Sequence, residues 1–274
     1  SELVTMGRDG IQMMPARQEL KRWRSMLSLA FAERRFDLAT FPVTTLSGEL
    51  LHNEAPARLN WQEKVLTAGQ FLPWINRLEL ASELDREVVE LALNRIERDG
   101  VSMGINLSGA ALVEDSFLPW LSQRLSSQAE AAARLWLEVP EPAAYRHLEG
   151  FKRMCARCKR YGTRVGLEHV GHQLSDIGRL HDVGVDFVKV DSAFVRDVDT
   201  NPANQTLLRT LCTLAHSLGV QVIAEGVKSK GERDSLADLG FDAITGPQVS
   251  AITAQASAEG ETGAWVDGQQ LATV

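Results

Sequence analysis

The sequence predicts one α/β domain built as a (β/α)-type barrel. Strand-like and helix-like stretches alternate in six units after an initial β-hairpin, which makes eight strands. The chain has 274 residues, 44% hydrophobic and 24% charged, enough to bury a large core, and the alternating part shows no second composition regime. No Gly-rich phosphate-binding turn follows any strand, which disfavours an open doubly wound sheet.

Between Met14 and Phe36, apolar Leu20, Trp23, Met26, Leu27 and Ala30 recur at helical spacing among Lys and Arg, and Pro15 suits a first helical turn. This is an amphipathic connector helix ahead of the barrel. Phe36–Thr45 and Glu49–Ala57 read as extended arms around the turn Leu46-Ser47-Gly48. A long helix follows from about Trp74 to Asp99, with apolar Ile75, Leu84, Val88 and Ile96 and a stop at Gly100. Strands are expected at 102–107, 134–139, 163–168, 187–190, 221–225 and 242–244, with helices at about 117–128, 141–161, 175–182, 202–218 and 231–239. Residues 1–35 are then connector and 36–251 the barrel. Residues 252–274 form a C-terminal extension, rich in small and polar residues, to which no function is assigned.

Lys and Arg number 29 against 36 Asp and Glu, a net charge of −7, which argues against a nucleic-acid polymer as partner but leaves room for a small anionic ligand in a local pocket. The three cysteines are too few and scattered for a disulfide framework and point to a reducing compartment. Cys155 and Cys158 have CxxC spacing, yet they lie within the basic amphipathic pattern Phe151–Arg160 and lack a second pair, so packing accounts for them. No stretch approaches the length of an apolar membrane span, and no secretory signal opens the sequence.

In a parallel barrel, function gathers at the C-terminal strand ends. Glu54, Asn106, Glu138, Glu168 with His169, Lys189 with Asp191, and Glu225 stand there. Each alone is an ordinary solvated strand end, but as a set converging on one mouth they define a site. Carboxylates with an amide oxygen are hard ligands suited to Mg²⁺, Mn²⁺ or Ca²⁺, and a lysine among them suits holding a phosphate or assisting a water.

Asn106-Leu107-Ser108, Glu138-Val139-Pro140-Glu141, Lys189-Val190-Asp191 with Phe194-Val195, Ala224-Glu225-Gly226-Val227, and Leu239-Gly240-Phe241-Asp242 followed by Gly246 resemble, in order and spacing, the signature blocks of the EAL-domain family. The resemblance runs from about Trp23 to Ala251. It implies a TIM-like (β/α)8 barrel whose first strand is antiparallel, and cyclic-di-GMP as the ligand, either hydrolysed or only sensed. Glu54-Ala55-Pro56 aligns with the name-giving Glu-Ala-Leu, with Arg58 at the position of the ligand-contacting arginine; Glu49-Leu50-Leu51 competes for that alignment. Active members hold two metal ions with Glu, Asn, Glu and an Asp-Asp pair. Glu54, Asn106, Glu138, Glu225 and Lys189 match that set, but the acidic pair reads Glu168-His169, the loop after it reads Val170-Gly171-His172-Gln173, and a further glutamate reads Lys228. A longer carboxylate and an imidazole impair a clamp for two cations.

With these departures the resemblance implies a noncatalytic receptor that needs no metal or other cofactor, with Glu54, Lys189 and Glu225 as vestiges of catalysis. The nucleotide is expected to be bound by Glu54, Arg58, Asn106, Glu138, Glu168, Lys189, Asp191, Glu225 and Gly246, with Arg58 and Lys189 on its phosphates and Lys228 easing the repulsion of a dianion. The alternatives are a weakly active metal-dependent phosphodiesterase and an interaction module that has lost the nucleotide. The opening helix and the stretch from Trp61 to Ile75 resemble the LapD-type receptors of the family. That implies a homodimeric cytoplasmic domain, joined to upstream domains of the same polypeptide, in a bacterial inner-membrane protein controlling biofilm adhesion. His169, His172 and His181 are expected to be exposed positions without a role.

Overall fold

Parallel strands covered by helices on one side and barrel contents on the other must be apolar along nearly their whole length. The computed structural model, which describes residues 16–249, bears this out: Leu135–Pro140 is buried through its first five residues and Phe187–Val190 throughout. The strands are β1 Phe36–Leu38, β2 Phe41–Thr45, β3 Leu50–Glu54, β4 Ala57–Trp61, β5 Lys64–Thr67, β6 Met103–Asn106, β7 Leu135–Pro140, β8 Arg164–Val170, β9 Phe187–Val190, β10 Gln221–Ala224 and β11 Ala243–Thr245. Eight of them close a barrel in the order β10-β11-β2-β3-β6-β7-β8-β9. β2 is antiparallel to both neighbours, with Thr45 opposite Ala243 and Phe41 opposite Glu54. All other barrel pairs are parallel. The fold is thus the TIM-like barrel with an antiparallel first strand.

Inside it, Val43, Trp136, Phe187, Ile223 and Ala243 form a small apolar cluster, with His52 stacked on Trp136 at 4.1 Å between ring centroids. A much larger core lies between the strands and their helices, among it Leu93, Ile105, Leu137, Val165 and Val188.

Several elements depart from expectation. β1, β4 and β5 form a separate three-stranded antiparallel sheet, of which the second hairpin was not foreseen. The helix expected over 74–99 is two, α2 (Ala68–Arg77) and α3 (Ala81–Asp99), divided where Glu79 takes a left-handed φ of 59°. Both halves bury their apolar side in the same core, so the periodicity runs unbroken across the turn. The helix expected over 141–161 likewise breaks at His147 into Glu141–Arg146 and Leu148–Cys158. The opening helix α1 (Ala16–Ala32) packs beside α2, with Trp23 stacked on Trp74 at 5.3 Å. The 252–274 extension lies outside the described residues.

Candidate functional site

At the C-terminal end of the parallel strands opens a cleft of about 470 Å³, lined among others by Phe41, Glu54, Asn106, Glu138, Glu168, His169, Glu225 and Gly246. Six of the nine expected ligand residues line it together. Glu54, and not Glu49, reaches this mouth; Glu49 is exposed beside the hairpin turn, where its backbone N–H meets the Thr45 hydroxyl. Pro56 sits between β3 and β4 and belongs to neither, so it removes no ladder hydrogen bond.

Beneath the floor lies Lys189, fully buried on β9. Its ammonium donates to Glu54 at 2.5 Å and to Glu138 at 2.7 Å. This corrects the expectation of a lysine facing the ligand: its charge is consumed by two carboxylates. Burial alone would lower its pKa, but Glu138 and Glu54 more than offset that and hold it above its ordinary value. Burial in turn pushes Glu138 up, against the pull of Lys189. Gly104 makes the packing here possible, because a Cβ on it would stand 2.8 Å from Glu138 Oε1 and 2.9 Å from the His52 ring.

The Glu168-His169 pair depends on an irregularity in β8. Successive strand residues point to opposite faces, yet both side chains line the cleft. The pairing of β8 with β9 shifts register between Leu167 and Val170, and His169 adopts φ 55°, so a bulge turns both inward. The imidazole comes to rest among three carboxylates: Nδ1 lies 3.1 Å from Glu225 and 3.4 Å from Asp191, and Nε2 lies 3.8 Å from Glu168. Its bond to Glu225, with the nearby negative charges, raises the His169 pKa to about 9 despite partial burial. Burial takes Glu168 to about 7, with His169 pulling the other way. His169 is exposed as expected, but it is not idle: its ring is engaged by carboxylates that favour its protonated form. Neither periodicity nor composition signals a bulge, so sequence reasoning had no means of finding it.

The remaining candidates surround this centre. Asp191 caps the turn after β9, accepting the Ala193 N–H at 2.7 Å, and faces both His169 and His172. The loop after β8 is tied down by Glu141, whose carboxylate accepts the backbone N–H groups of His172 at 3.2 Å and Gly171 at 3.4 Å. Gly246 has φ 137°, and a Cβ there would lie 2.4 Å from the Val227 nitrogen, so only glycine fits this part of the wall. Arg58 stands on β4, outside the barrel; its guanidinium lies 6.0 Å from the ring centroid of Phe41, which forms the rim. Lys228 is exposed and does not line the cleft. A second cleft of about 400 Å³ adjoins the first, sharing Ala55, Pro56, Asn106, Glu168 and His169 and extending to apolar Leu72, Ile75 and Val88. Asp85 lies in it, accepting from the Ser108 N–H at 2.9 Å and hydroxyl at 2.6 Å.

The resemblance raised the question of two metal ions. Among the described residues no three His, Cys, Asp or Glu side chains are arranged to hold a metal ion. Glu54 and Glu138 are engaged by Lys189, and an imidazole fills the space between Glu168, Asp191 and Glu225. This donor set does not fit a two-cation clamp.

Similarity to known proteins agrees with the geometry. The EAL domain family matches residues 24–251. An uncharacterised protein of Mycobacterium tuberculosis, Rv1354c, is 29% identical over 202 residues, covering 70% of this chain and 32% of that protein. The cyclic di-GMP phosphodiesterase PdeF of Escherichia coli is 25% identical over 225 residues, 80% of this chain and 30% of its own. The chain thus spans about a third of the length of these relatives. Among solved structures, the apo S helix-GGDEF-EAL portion of Vibrio cholerae LapD superposes with a TM-score of 0.78 at 21% identity, over 84% of this chain and 57% of that one. The Pseudomonas aeruginosa FimX EAL domain bound to c-di-GMP gives 0.73 at 26% identity, over 82% and 93%. The chain belongs to the EAL domain family.

Proposed function

We propose that this domain binds cyclic-di-GMP without cleaving it. The observation that carries the reading is the His169 ring, set among Glu168, Asp191 and Glu225 in the place where the family resemblance calls for a metal-bridging carboxylate, with its pKa raised by its bond to Glu225. A fixed cation there lowers the repulsion between an acidic mouth and a dianionic ligand without any metal. FimX, a relative by fold and sequence, is a c-di-GMP-bound EAL domain. The paired clefts suit a ligand with two bases: the phosphate ring over Glu54, Asn106, Glu225 and Gly246, with Arg58 reaching in from the rim, and one base in the apolar cleft toward Asp85.

On the same reading the domain works as a homodimer on the cytoplasmic side of a bacterial inner membrane, joined through α1 to upstream domains that control biofilm adhesion. Among the described residues no helix is long and apolar enough to cross a membrane. Calorimetric titration with cyclic-di-GMP in chelator, followed by chromatography of the nucleotide, tests the proposal. Binding that survives chelation with no linear product supports it, and turnover in Mn²⁺ overturns it. Such turnover would favour the second reading, a weak phosphodiesterase, which rests on the retention of Glu54, Asn106, Glu138 and Glu225 at one mouth.

A further inference from the structure

The basic amphipathic stretch singled out in the sequence has no part in the cleft. From Arg146 to Arg160 there are six cations, Arg146, Lys152, Arg153, Arg157, Lys159 and Arg160, and one anion, Glu149. This net +5 sits in a chain of −7, so the remainder carries −12. Helix Leu148–Cys158 spends its whole apolar side, Phe151, Met154, Cys155 and Cys158, on the core. All six cations are exposed. Nearby Arg179 pairs with Asp176 at 3.2 Å, whereas none of the six has an ion-pair partner among the described residues. An open groove at the start of this helix brings Arg146 and Arg153 beside Val113, a large apolar side chain left 54% exposed.

We infer that this helix face docks on a surface of anionic phospholipid headgroups. The charge separation orients the molecule, since a plane of fixed negative charge attracts the +5 face, none of whose cations lines the cleft, and repels the acidic remainder. A lipid surface fits better than a nucleic acid. The fully exposed positions from Arg146 to Arg160 hold no amide or aromatic side chain to read or stack a base, the rings beside them, Tyr145, His147 and Tyr161, are buried or half-buried, and the helix is packed flush on the barrel and not free to enter a groove. Contact is peripheral, because the apolar side of the helix is already buried and only Val113 is left to enter the headgroup layer.

Co-sedimentation of the chain with vesicles tests this. The chain should pellet with phosphatidylcholine vesicles containing about a third phosphatidylglycerol, not with phosphatidylcholine alone, and high salt should release it. Each cation removed should weaken partitioning about fivefold, so Lys152→Gln, Arg153→Gln and Arg157→Gln together should cost roughly a hundredfold. Melting temperature and cyclic-di-GMP titration of the triple variant should match the parent, since none of the three lines the cleft. Equal binding to neutral vesicles, or an unchanged triple variant, overturns the inference. So do two other results that depend on the same cations: tighter binding to an oligonucleotide than to the vesicles, or salt-sensitive self-association that the vesicles do not displace.

Discussion

Replacing Lys189 by Met should destabilise this domain severely and in a pH-dependent way. The ammonium is fully buried and is shared by Glu54 and Glu138, whose oxygens lie 2.5 and 2.7 Å away. Methionine fills much the same volume, so the perturbation is almost purely one of charge. It leaves Glu138, itself only 2% exposed, as a buried carboxylate without a cation. Breaking a buried pair in this manner costs about 3–5 kcal/mol. For a domain of this size that lowers the melting temperature by about 10 °C. The sign of the pH effect follows from Glu138. Without its cation, burial raises its folded pKa further above the unfolded value, so the folded state holds the proton more tightly and the variant regains stability as pH falls. Thermal denaturation followed by circular dichroism, near neutral pH and at about pH 5, measures both effects. The double variant Lys189→Met with Glu138→Gln should recover most of the loss, since it removes the orphaned charge. A loss below about 1 kcal/mol, or one equally large at both pH values, would refute the claim that Lys189 is a buried counter-ion.

Arg58→Ala should weaken cyclic-di-GMP binding by at least about tenfold, the equivalent of one charge-assisted contact, without moving the melting temperature; calorimetry that finds unchanged affinity removes Arg58 from the ligand. Restoring short carboxylates through Glu168→Asp with His169→Asp should permit Mn²⁺ binding that the parent lacks, as read by titration calorimetry; tight binding of two Mn²⁺ by the parent would contradict the argument from the donor set. Burial raises the Asp85 pKa from 3.8 to about 6, Ser108 opposing, so the folded state holds that proton more tightly than the unfolded chain. Its contribution to stability should therefore fall by about 3 kcal/mol as pH rises through that window, a slope that urea denaturation should find missing in Asp85→Asn.

The barrel and most of the cleft were legible because they depend on short-range patterns. Asn106, Glu138, Glu168 and Glu225 each follow a short apolar run, and Glu54 closes the second arm of the hairpin, features written in neighbouring residues. What was missed depends on distant partners. A lysine within a strand reads as solvent-seeking, and Lys189 is buried only because β3 and β7 bring carboxylates from positions 135 and 51 residues away. His169 enters the cleft through a bulge in which a non-glycine residue takes a left-handed φ, held by surrounding contacts that no local pattern announces. Arg58 lies just past the expected hairpin arm, on β4 of the separate sheet, a strand that no sequence pattern announced. The Ala55-Pro56 step that lifts the chain out of the barrel into β4 is too short to register as a boundary.

The reversed strand β2 also governs when the binding mouth comes into being. β2 leaves the ribosome before every other barrel strand, while its second neighbour, β11, is the last of the described strands, with Thr45 waiting for Ala243. Closing so long a loop is entropically costly, and the cost is met only when the final strand arrives. Thr245 and Gly246, which finish the wall of the cleft, emerge with it. At a synthesis rate of about 5–20 residues per second, the nascent chain spends roughly ten seconds or more with the β2–β3 hairpin formed on one flank and an unpaired edge where β11 belongs. An edge of that kind is a template for pairing with another chain. The nucleotide cannot help during that interval, because the cleft that would bind it is not yet closed.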